Sequence, residues 1–161
     1  MTPPSYGPTS TRRAKKSTPE AECLSRSRGG VSTKIHACTD ALGNAVRLLA
    51  TAEQAGDCPQ TLPLLKDLQP GKVLADTAYD SDENRTYCTE HGIKAVIPSH
   101  PSHPSRLKPT EMDEEIYRDR NKIERFFGRL KQYRRLATRY EKTVVSFLAF
   151  WHVAAALDWL R

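Results

Sequence analysis

Residues 72–97 read KVLADTAYDSDENRTYCTEHGIKAVI, and this stretch decides the fold class of the chain. Its first apolar run, VLA, ends at Asp76 and predicts a short buried strand. Ser81 and Gly92 then mark the start and the stop of a helix, and KAVI predicts a second buried strand. Strands that alternate with helices in this way are typical of an α/β layer.

The segment upstream of this stretch predicts a β-hairpin. Apolar and polar residues alternate along VSTKIHACTD, which places Val31, Ile35 and Ala37 on one side of a strand. The letters DALGN supply turn residues, and AVRLLATA follows as a second apolar strand. Residues 59–68, PQTLPLLKDL, predict a short helix with a proline near its start.

The C-terminal part of the chain predicts a loop and two helices. Residues 98–110 contain four prolines and are interpreted as a loop. Helices are expected at roughly 114–136 and 142–160. The second helix is apolar but contains His152 and Asp158, and it is shorter than the about 20 apolar residues of a membrane span. We therefore expect a buried helix and no membrane association.

Composition and charge bound the class of protein. The chain has 161 residues, enough for one domain with a hydrophobic core, and 38% of them are hydrophobic. Residues 1–28 are rich in Pro, Ser, Thr and basic residues and predict a disordered basic segment before a domain at 29–161. The net charge of +6 suggests an anionic partner such as nucleic acid, although a basic surface alone does not specify one. The four cysteines lack zinc-site spacing and are interpreted as reduced thiols of a cytoplasmic protein.

The first of the two C-terminal helices has three faces on a helical wheel. The core sector carries large apolar side chains, namely Ile123, Phe126, Phe127 and Leu130. A basic sector carries Arg118, Lys122, Arg125 and Arg129. A mixed sector carries Tyr117, Arg120, Glu124 and Lys131. An amphipathic helix needs only two faces, so the mixed sector predicts a chemical role, although a solvated i,i+4 ion pair between Arg120 and Glu124 explains it as well.

Asp76 is the second candidate site residue. It lies where a buried strand gives way to a loop, and ligands of α/β sheets bind at such strand ends. A carboxylate at this place and another on a packed helix can hold hard divalent cations. Two such metals can activate a water and stabilise the leaving oxygen of a phosphodiester. The alternative for Asp76 is a capping or turn role, for which Asp80 and Asp82 are better placed.

These residues carry a family resemblance. The spacing Tyr117-x2-Arg120-x3-Glu124-x6-Lys131 resembles the YREK signature of DDE transposases from bacterial insertion sequences. The block ADTAYDSDENR is similar to the text around that family's second catalytic aspartate, a role that falls here on Asp76. The stretches SRGGVSTKIHACTDALGN and NKIERFFGRLKQYRRLATRYEK also resemble the family, so the resemblance covers about residues 25–161.

The resemblance implies a fold, an activity and a set of partners. The fold is an RNase H-like mixed sheet flanked by helices, and the activity cuts transposon ends and joins them to target DNA. Asp76 and Glu124 become catalytic acids and ligands of two Mg²⁺ or Mn²⁺ ions. Arg120 and Lys131 become phosphate contacts with Tyr117 beside them, and the basic sector adds two further DNA contacts, Arg125 and Arg129. The partners are double-stranded DNA and, in the intact enzyme, further copies of the chain, in a bacterial cytoplasm and on its nucleoid.

One departure from the family limits this expectation. The family's first aspartate lies on a central strand between the hairpin and the strand that ends at Asp76. The residues upstream of Ser25 contain no Asp and no strand pattern, and Asp40 falls in the predicted hairpin turn. We therefore expect a C-terminal portion of a transposase that lacks the first strand and is inactive alone, either a decayed copy or the partner of an upstream reading-frame product. The alternative is a catalytically inactive fragment that binds DNA or transposase and regulates it.

Overall fold

A computed structural model describes residues 25–27, 30–99 and 115–161 of the chain. Two predicted segments lie largely outside these ranges. They are most of the N-terminal segment and all but two residues of the proline-rich loop, including His100 and His103. Strand β1 (Ser25–Ser27) falls within the segment that the sequence predicted to be disordered. Its residues pair antiparallel with the start of the next strand, which gives their backbone groups hydrogen-bonding partners.

The predicted hairpin is confirmed. Strands β2 (Gly30–Thr39) and β3 (Ala45–Ala52) pair antiparallel, with an irregularity in register near the turn. The carboxylate of Asp40 closes the turn, since its Oδ1 accepts the backbone N–H groups of Leu42 at 2.8 Å and Asn44 at 2.9 Å. Gly43 adopts a φ of +90°, a conformation that favours glycine. The local turn chemistry therefore accounts for the connection that the sequence predicted.

The helix predicted at 59–68 is shorter in the structure. A 3₁₀ turn at Cys58–Gln60 leads into α1 (Thr61–Leu65), and Lys66 is already extended, with a ψ of 129°. The guanidinium of Arg47 on β3 explains this end, because it donates to the carbonyl oxygens of Pro63 at 3.1 Å, Leu64 at 3.0 Å and also Lys66. These carbonyls would otherwise lack partners at the helix terminus.

The strand–helix–strand unit is confirmed. Strand β4 (Lys72–Leu74) is followed by a 3₁₀ turn at Thr77–Tyr79, by α2 (Asp82–Glu90) and by β5 (Lys94–Val96), which pairs parallel with β4. Ser81 caps α2 by accepting the N–H of Asn84 at 3.1 Å, and Gly92 follows the helix with a φ of +66°.

The chain is thus a mixed α/β protein, but its described strands do not form one sheet. They form a three-stranded antiparallel sheet in the order β1-β2-β3 and a separate two-stranded parallel sheet of β4 and β5. In the described part of the chain, no strand joins the two sheets. This arrangement differs from the single mixed sheet that the sequence led us to expect.

Within the described residues 115–161, the C-terminal region is divided into more helical segments than the two predicted. A 3₁₀ turn at Arg118–Arg120 leads into α3 (Asn121–Leu130), followed by α4 (Arg134–Ala137) and α5 (Val144–Trp159). The single helix predicted at 114–136 is wrong because the backbone turns after Lys131 and becomes extended at Tyr133, with a ψ of 111°. This turn brings Leu136 into the core, where only 5% of it remains exposed.

The main core lies between the β2–β3 hairpin and the C-terminal helices. Its buried members are Leu48, Phe126, Leu130, Leu136, Phe147, Trp151, Ala154 and Ala155. Ile35 and Ala37 pack against this cluster from β2, as the alternation of the sequence predicted. Trp159 does not belong to it, since the residue is 54% exposed and its Nε1 donates to the carbonyl of Ala45. Among the described helices, none is long and apolar enough to cross a membrane.

Candidate functional site

Helix α3 presents the candidate catalytic glutamate to solvent. Phe126 and Leu130 are 0% and 1% exposed, which fixes the core sector of the helix against the hairpin and α5. The mixed sector consequently lies outside the core, and the Glu124 side chain keeps 59% of its surface exposed. The core sector of the helical wheel is confirmed, and the position of Glu124 suits a group that meets a large ligand.

Three of the four signature residues meet at the start of α3. Arg120 donates from Nη2 to Glu124 Oε1 at 2.8 Å, and its Cζ lies 5.5 Å from the centroid of the Tyr117 ring. Arg120 belongs to the 3₁₀ turn before α3. The helical wheel drawn from the sequence therefore applied α-helical geometry to a residue outside the α-helix. Lys131 lies at the opposite end of α3, with Nζ 5.8 Å from the Phe127 ring centroid.

Asp76 performs a local structural role of its own. Its Oδ1 accepts the N–H of Ala78 at 2.9 Å and caps the 3₁₀ turn that follows β4. Asp80 and Asp82 were predicted to be better placed for a capping or turn role than Asp76. The Asp80 side chain is 0% exposed and pairs with Arg85 at 2.6 Å. Capping holds the Asp76 carboxylate in one orientation at the end of the strand.

A second acidic residue lies near this loop and was missed from the sequence. The pKa of Tyr79 is raised to about 12 by burial and by the negative charges of Asp57, Asp76 and Cys58, which places Tyr79 in the field of both carboxylates. Asp57 accepts from Lys34 Nζ at 3.1 Å and lies 3.4 Å from Nδ1 of the buried His36. Asp57 lies in an irregular loop, so neither hydrophobic periodicity nor motif spacing marks it in the sequence.

His36 is a packed and hydrogen-bonded residue. It is 3% exposed, and its Nε2 lies 2.7 Å from Thr51 Oγ1 on the paired strand. Burial lowers the pKa of His36, and the negative charge of Asp57 opposes part of this shift. The residue therefore joins the hairpin to the Asp57 loop.

The donor set in the described residues is incomplete for a two-metal site. In residues 30–99 and 115–161, no group of three or more His, Cys, Asp or Glu side chains is arranged to hold a metal ion. Asp76 and Glu124 are hard oxygen donors of the type that Mg²⁺ and Mn²⁺ prefer. One carboxylate oxygen of each is engaged, by Ala78 and Arg120 respectively. These two acids do not by themselves constitute the site.

The basic sector of α3 divides into exposed and structural side chains. Arg125 is exposed, and its Nη2 donates to Asn121 Oδ1 at 3.1 Å. Arg129 instead holds Asp158 of α5 in a bidentate pair, with Nε–Oδ1 at 2.8 Å and Nη2–Oδ2 at 2.6 Å. Arg129 Nη2 also donates to the carbonyl of Gly43 in the hairpin turn at 3.2 Å. This geometry favours a structural role for Arg129 over the predicted DNA contact.

The sequence around these residues matches a known family. Residues 73–161 match the family model of the transposase DDE domain, so the match includes both Asp76 and Glu124. The chain belongs to the DDE transposase family, and the resemblance seen in its signature residues is confirmed.

Individual relatives come from bacterial insertion sequences. The chain is 42% identical over 132 residues to the putative transposase for insertion sequence element IS6501 of Brucella ovis, covering 81% of this chain and 100% of that protein. It is 34% identical over 107 residues to the transposase for IS1106 of Neisseria meningitidis serogroup B, covering 65% of this chain and 37% of that protein. It is 29% identical over 122 residues to the putative transposase for IS402 of Burkholderia cepacia, covering 68% of this chain and 54% of that protein. The match thus spans the whole of the first relative but only part of the other two. No solved structure matches the chain significantly.

Proposed function

We propose that the chain is the C-terminal portion of a transposase catalytic domain and supplies two of its three acids, Asp76 and Glu124. The observation that carries this proposal is the exposed Glu124 carboxylate on a helix whose opposite face is anchored in the core, with Arg120 bound beside it. The family match covers both acids. In the complete site, bound Mg²⁺ or Mn²⁺ would activate the attacking hydroxyl or water and stabilise the leaving oxygen.

The proposed DNA contacts surround the glutamate. Arg120, Lys131 and Arg125 are cations on the outer side of α3 and its ends, and Tyr117 lies under the Arg120 guanidinium. A polyanionic substrate close to two carboxylates requires nearby positive charge, which these side chains supply. DNA phosphate can compete with Glu124 for Arg120, because their ion pair is solvated and therefore weak, about 0–1 kcal/mol.

The separation of the sheets supports the need for a further strand. A parallel sheet of two strands is small for independent stability, and parallel sheets in α/β proteins are normally larger and covered on both faces. The edge of β4 opposite β5 has no strand partner among the described residues. We propose that a strand carrying the first catalytic aspartate, from an upstream reading-frame product, joins at this edge and completes an RNase H-like sheet and the metal site.

The chain alone is expected to show no metal-dependent strand transfer. The measurement is an assay with labelled insertion-sequence end DNA and a plasmid target in Mg²⁺ or Mn²⁺. A fusion that adds the upstream reading-frame product is expected to yield joined products, which Asp76→Asn and Glu124→Gln each reduce at least about 100-fold because each removes a metal ligand. Strand transfer by the unfused chain that disappears with Glu124→Gln would contradict the need for a partner.

A regulatory fragment that binds DNA is the second candidate function. The incomplete donor set among the described residues and the exposed Arg125 of α3 favour it. Such a fragment would bind DNA through the α3 contacts without catalysing strand transfer. Asp76 would therefore have no part in this function.

The regulatory candidate predicts how DNA affinity responds to single variants. Arg125→Ala is expected to weaken binding of duplex DNA and reduce the slope of log K against log salt by about 1, the loss of one phosphate contact. Gel-shift titrations over a salt series measure both quantities. Asp76→Asn is expected to bind as the parent does, and Lys66→Ala, which removes an exposed charge just after α1, controls for net charge. Equal effects of Arg125→Ala and Lys66→Ala would show that binding follows overall charge rather than the α3 surface.

A further inference from the structure

Helix α5 carries apolar residues on both its buried and its exposed sides, which is unusual for a helix at a protein surface. One side, with Phe147, Trp151 and Ala155, packs in the core. The opposite side is exposed: Val145 keeps 75% of its surface accessible and Val153 keeps 59%. Apolar helices of this kind are normally buried on all sides, so the outer side of α5 is expected to have a partner.

The exposed residues form a regular seam along the helix. They recur at alternating spacings of three and four, and all are exposed: Ser146, Ala149, Val153, Ala156 and Leu160. This spacing keeps a narrow stripe on one side of an α-helix and is the pattern of helix–helix pairing. The central residues are small, which lets a second helix approach closely. Larger side chains flank the stripe, including Phe150 and Leu157 at 38% and 56% exposure.

The seam carries no charge, in contrast to the rest of the chain. Between residues 144 and 160 the only charged side chain is Asp158, which faces the other way and pairs with Arg129. The whole chain has a net charge of +6. Two copies would repel each other through most of their surfaces, but they can meet at this neutral stripe without placing like charges opposite one another.

We propose that the α5 seam pairs with the seam of a second copy in an antiparallel, two-fold arrangement centred on Val153. In this arrangement Val153 meets its own copy, and Ala149 of each chain lies level with Leu157 of the other, next to Ala156. A two-fold axis requires such a self-complementary surface. The occupant is a second copy because the stripe has an alanine on either side of Val153 and lacks the charges that a basic or acidic partner would require.

The exposed apolar surface is sufficient for a dimer. The accessible parts of Val145, Phe150, Val153, Leu157, Trp159 and Leu160 together equal more than three fully exposed side chains. At roughly 150–250 Å² for a large side chain, this is on the order of 600 Å² per copy. A standard protein interface buries about 800 Å² per partner, and the alanines of the seam add to the total. A groove of about 390 Å³ between β3 and α5, bordered by Trp159 and Leu160, opens beside the seam.

The proposal is tested with two separate variants, one that places a positive charge and one that places a negative charge at the centre of the seam. The unmodified chain is expected to be a dimer by light scattering after size-exclusion chromatography. Val153→Lys and Val153→Glu should each weaken the dimer at least about 10-fold, because each places like charges opposite one another. An equal mixture of the two variants should recover a dimer, since Lys then faces Glu. Tyr140→Lys, an equally exposed residue outside the seam, should remain dimeric, and circular dichroism checks that all variants are folded.

Each other outcome overturns the proposal. A monomeric parent chain would assign the seam to a different partner, such as the remainder of a longer transposase. A Val153→Lys variant that stays dimeric would place the interface elsewhere. Two monomeric variants that fail to pair in the mixture would exclude a seam centred on Val153. The experiment needs neither DNA nor metal, so its result is independent of the proposed function.

Discussion

Replacing Phe126 with alanine is expected to destabilise the chain by about 3–5 kcal/mol, the range for removing a buried aromatic ring. Phe126 is 0% exposed and lies in the cluster that joins the hairpin to the C-terminal helices. Its ring also meets Phe127 edge to face at 5.5 Å between centroids. A loss of this size is a large fraction of the 5–15 kcal/mol that typically stabilises a domain.

Urea titration followed by circular dichroism measures the change. Phe126→Leu retains much of the side-chain volume and is expected to lose clearly less stability than Phe126→Ala. Arg125→Ala, the exposed neighbour on the same helix, is expected to change stability by no more than about 0.5 kcal/mol. A Phe126→Ala variant as stable as Arg125→Ala would mean that α3 does not pack on the hairpin as described.

Phe126→Ala also tests whether the candidate site on α3 depends on the core packing of that helix. Phe126 does not belong to the mixed sector, yet it fixes the side of α3 that turns towards solvent. Glu124 and Arg120 depend on that orientation for their position. The proposed DNA contacts of α3 should therefore weaken in Phe126→Ala only to the extent that the chain unfolds. Loss of DNA binding without unfolding would indicate that α3 can rotate.

The features that the sequence predicted correctly have local causes. The hairpin turn rests on Asp40 and Gly43, and α2 begins at the hydroxyl of Ser81. The buried sector of α3 follows from the helical spacing of Phe126 and Leu130. In each case residues within a few positions of one another determine the structure, so a single sequence is enough to predict it.

The features that were missed depend on contacts between distant segments. The predicted long helix breaks after Lys131 because Leu136 gains a place in the core, which no local pattern indicates. Trp159 follows Trp151 by two helical turns, a spacing that favours the same buried side, but it lies exposed at the end of α5 and bonds to Ala45 after the hairpin turn. Asp57 joins the surroundings of Tyr79 only through the tertiary fold. The helical wheel placed Arg129 in the basic sector of α3. It did not indicate the ion pair of Arg129, because Asp158 lies on another helix.

Replacing Arg129 with alanine is expected to cost about 2–4 kcal/mol, because it leaves a buried carboxylate without its partner. The Asp158 side chain is only 7% exposed, and Arg129 supplies two charge-assisted hydrogen bonds to it. Arg129 itself is 32% exposed, so solvent screens part of the interaction and the lower half of the range is favoured. Thermal unfolding should show a fall in Tm of roughly 5–12 °C for a chain of this size.

The double variant Arg129→Met with Asp158→Leu tests whether the two side chains act as a pair. Removing both charges leaves none unpaired, so the double variant is expected to be more stable than either Arg129→Met or Asp158→Leu alone. Additive losses would show that the two residues act independently.

Acid titration gives a second signature of the pair. Hydrogen bonds from Arg129 lower the pKa of Asp158 below its ordinary value, despite the opposing effect of burial. The folded chain therefore releases this proton more readily than the unfolded chain does. The stabilisation is complete above the ordinary pKa of about 3.9 and is lost as the pH falls through the lowered pKa. Arg129→Ala should remove this part of the acid dependence.

These measurements also decide between the two roles of Arg129. A residue that binds DNA phosphate gains little from a fixed carboxylate partner, and its removal would weaken DNA binding while leaving Tm unchanged. A residue that joins α3 to α5 and the hairpin turn shows the reverse, with a lowered Tm and DNA affinity that is normal in the fraction still folded. The contacts to Asp158 and Gly43 favour the second pattern. Arg125, one turn earlier and exposed, is then the residue of the basic sector whose loss should weaken DNA binding without unfolding the chain.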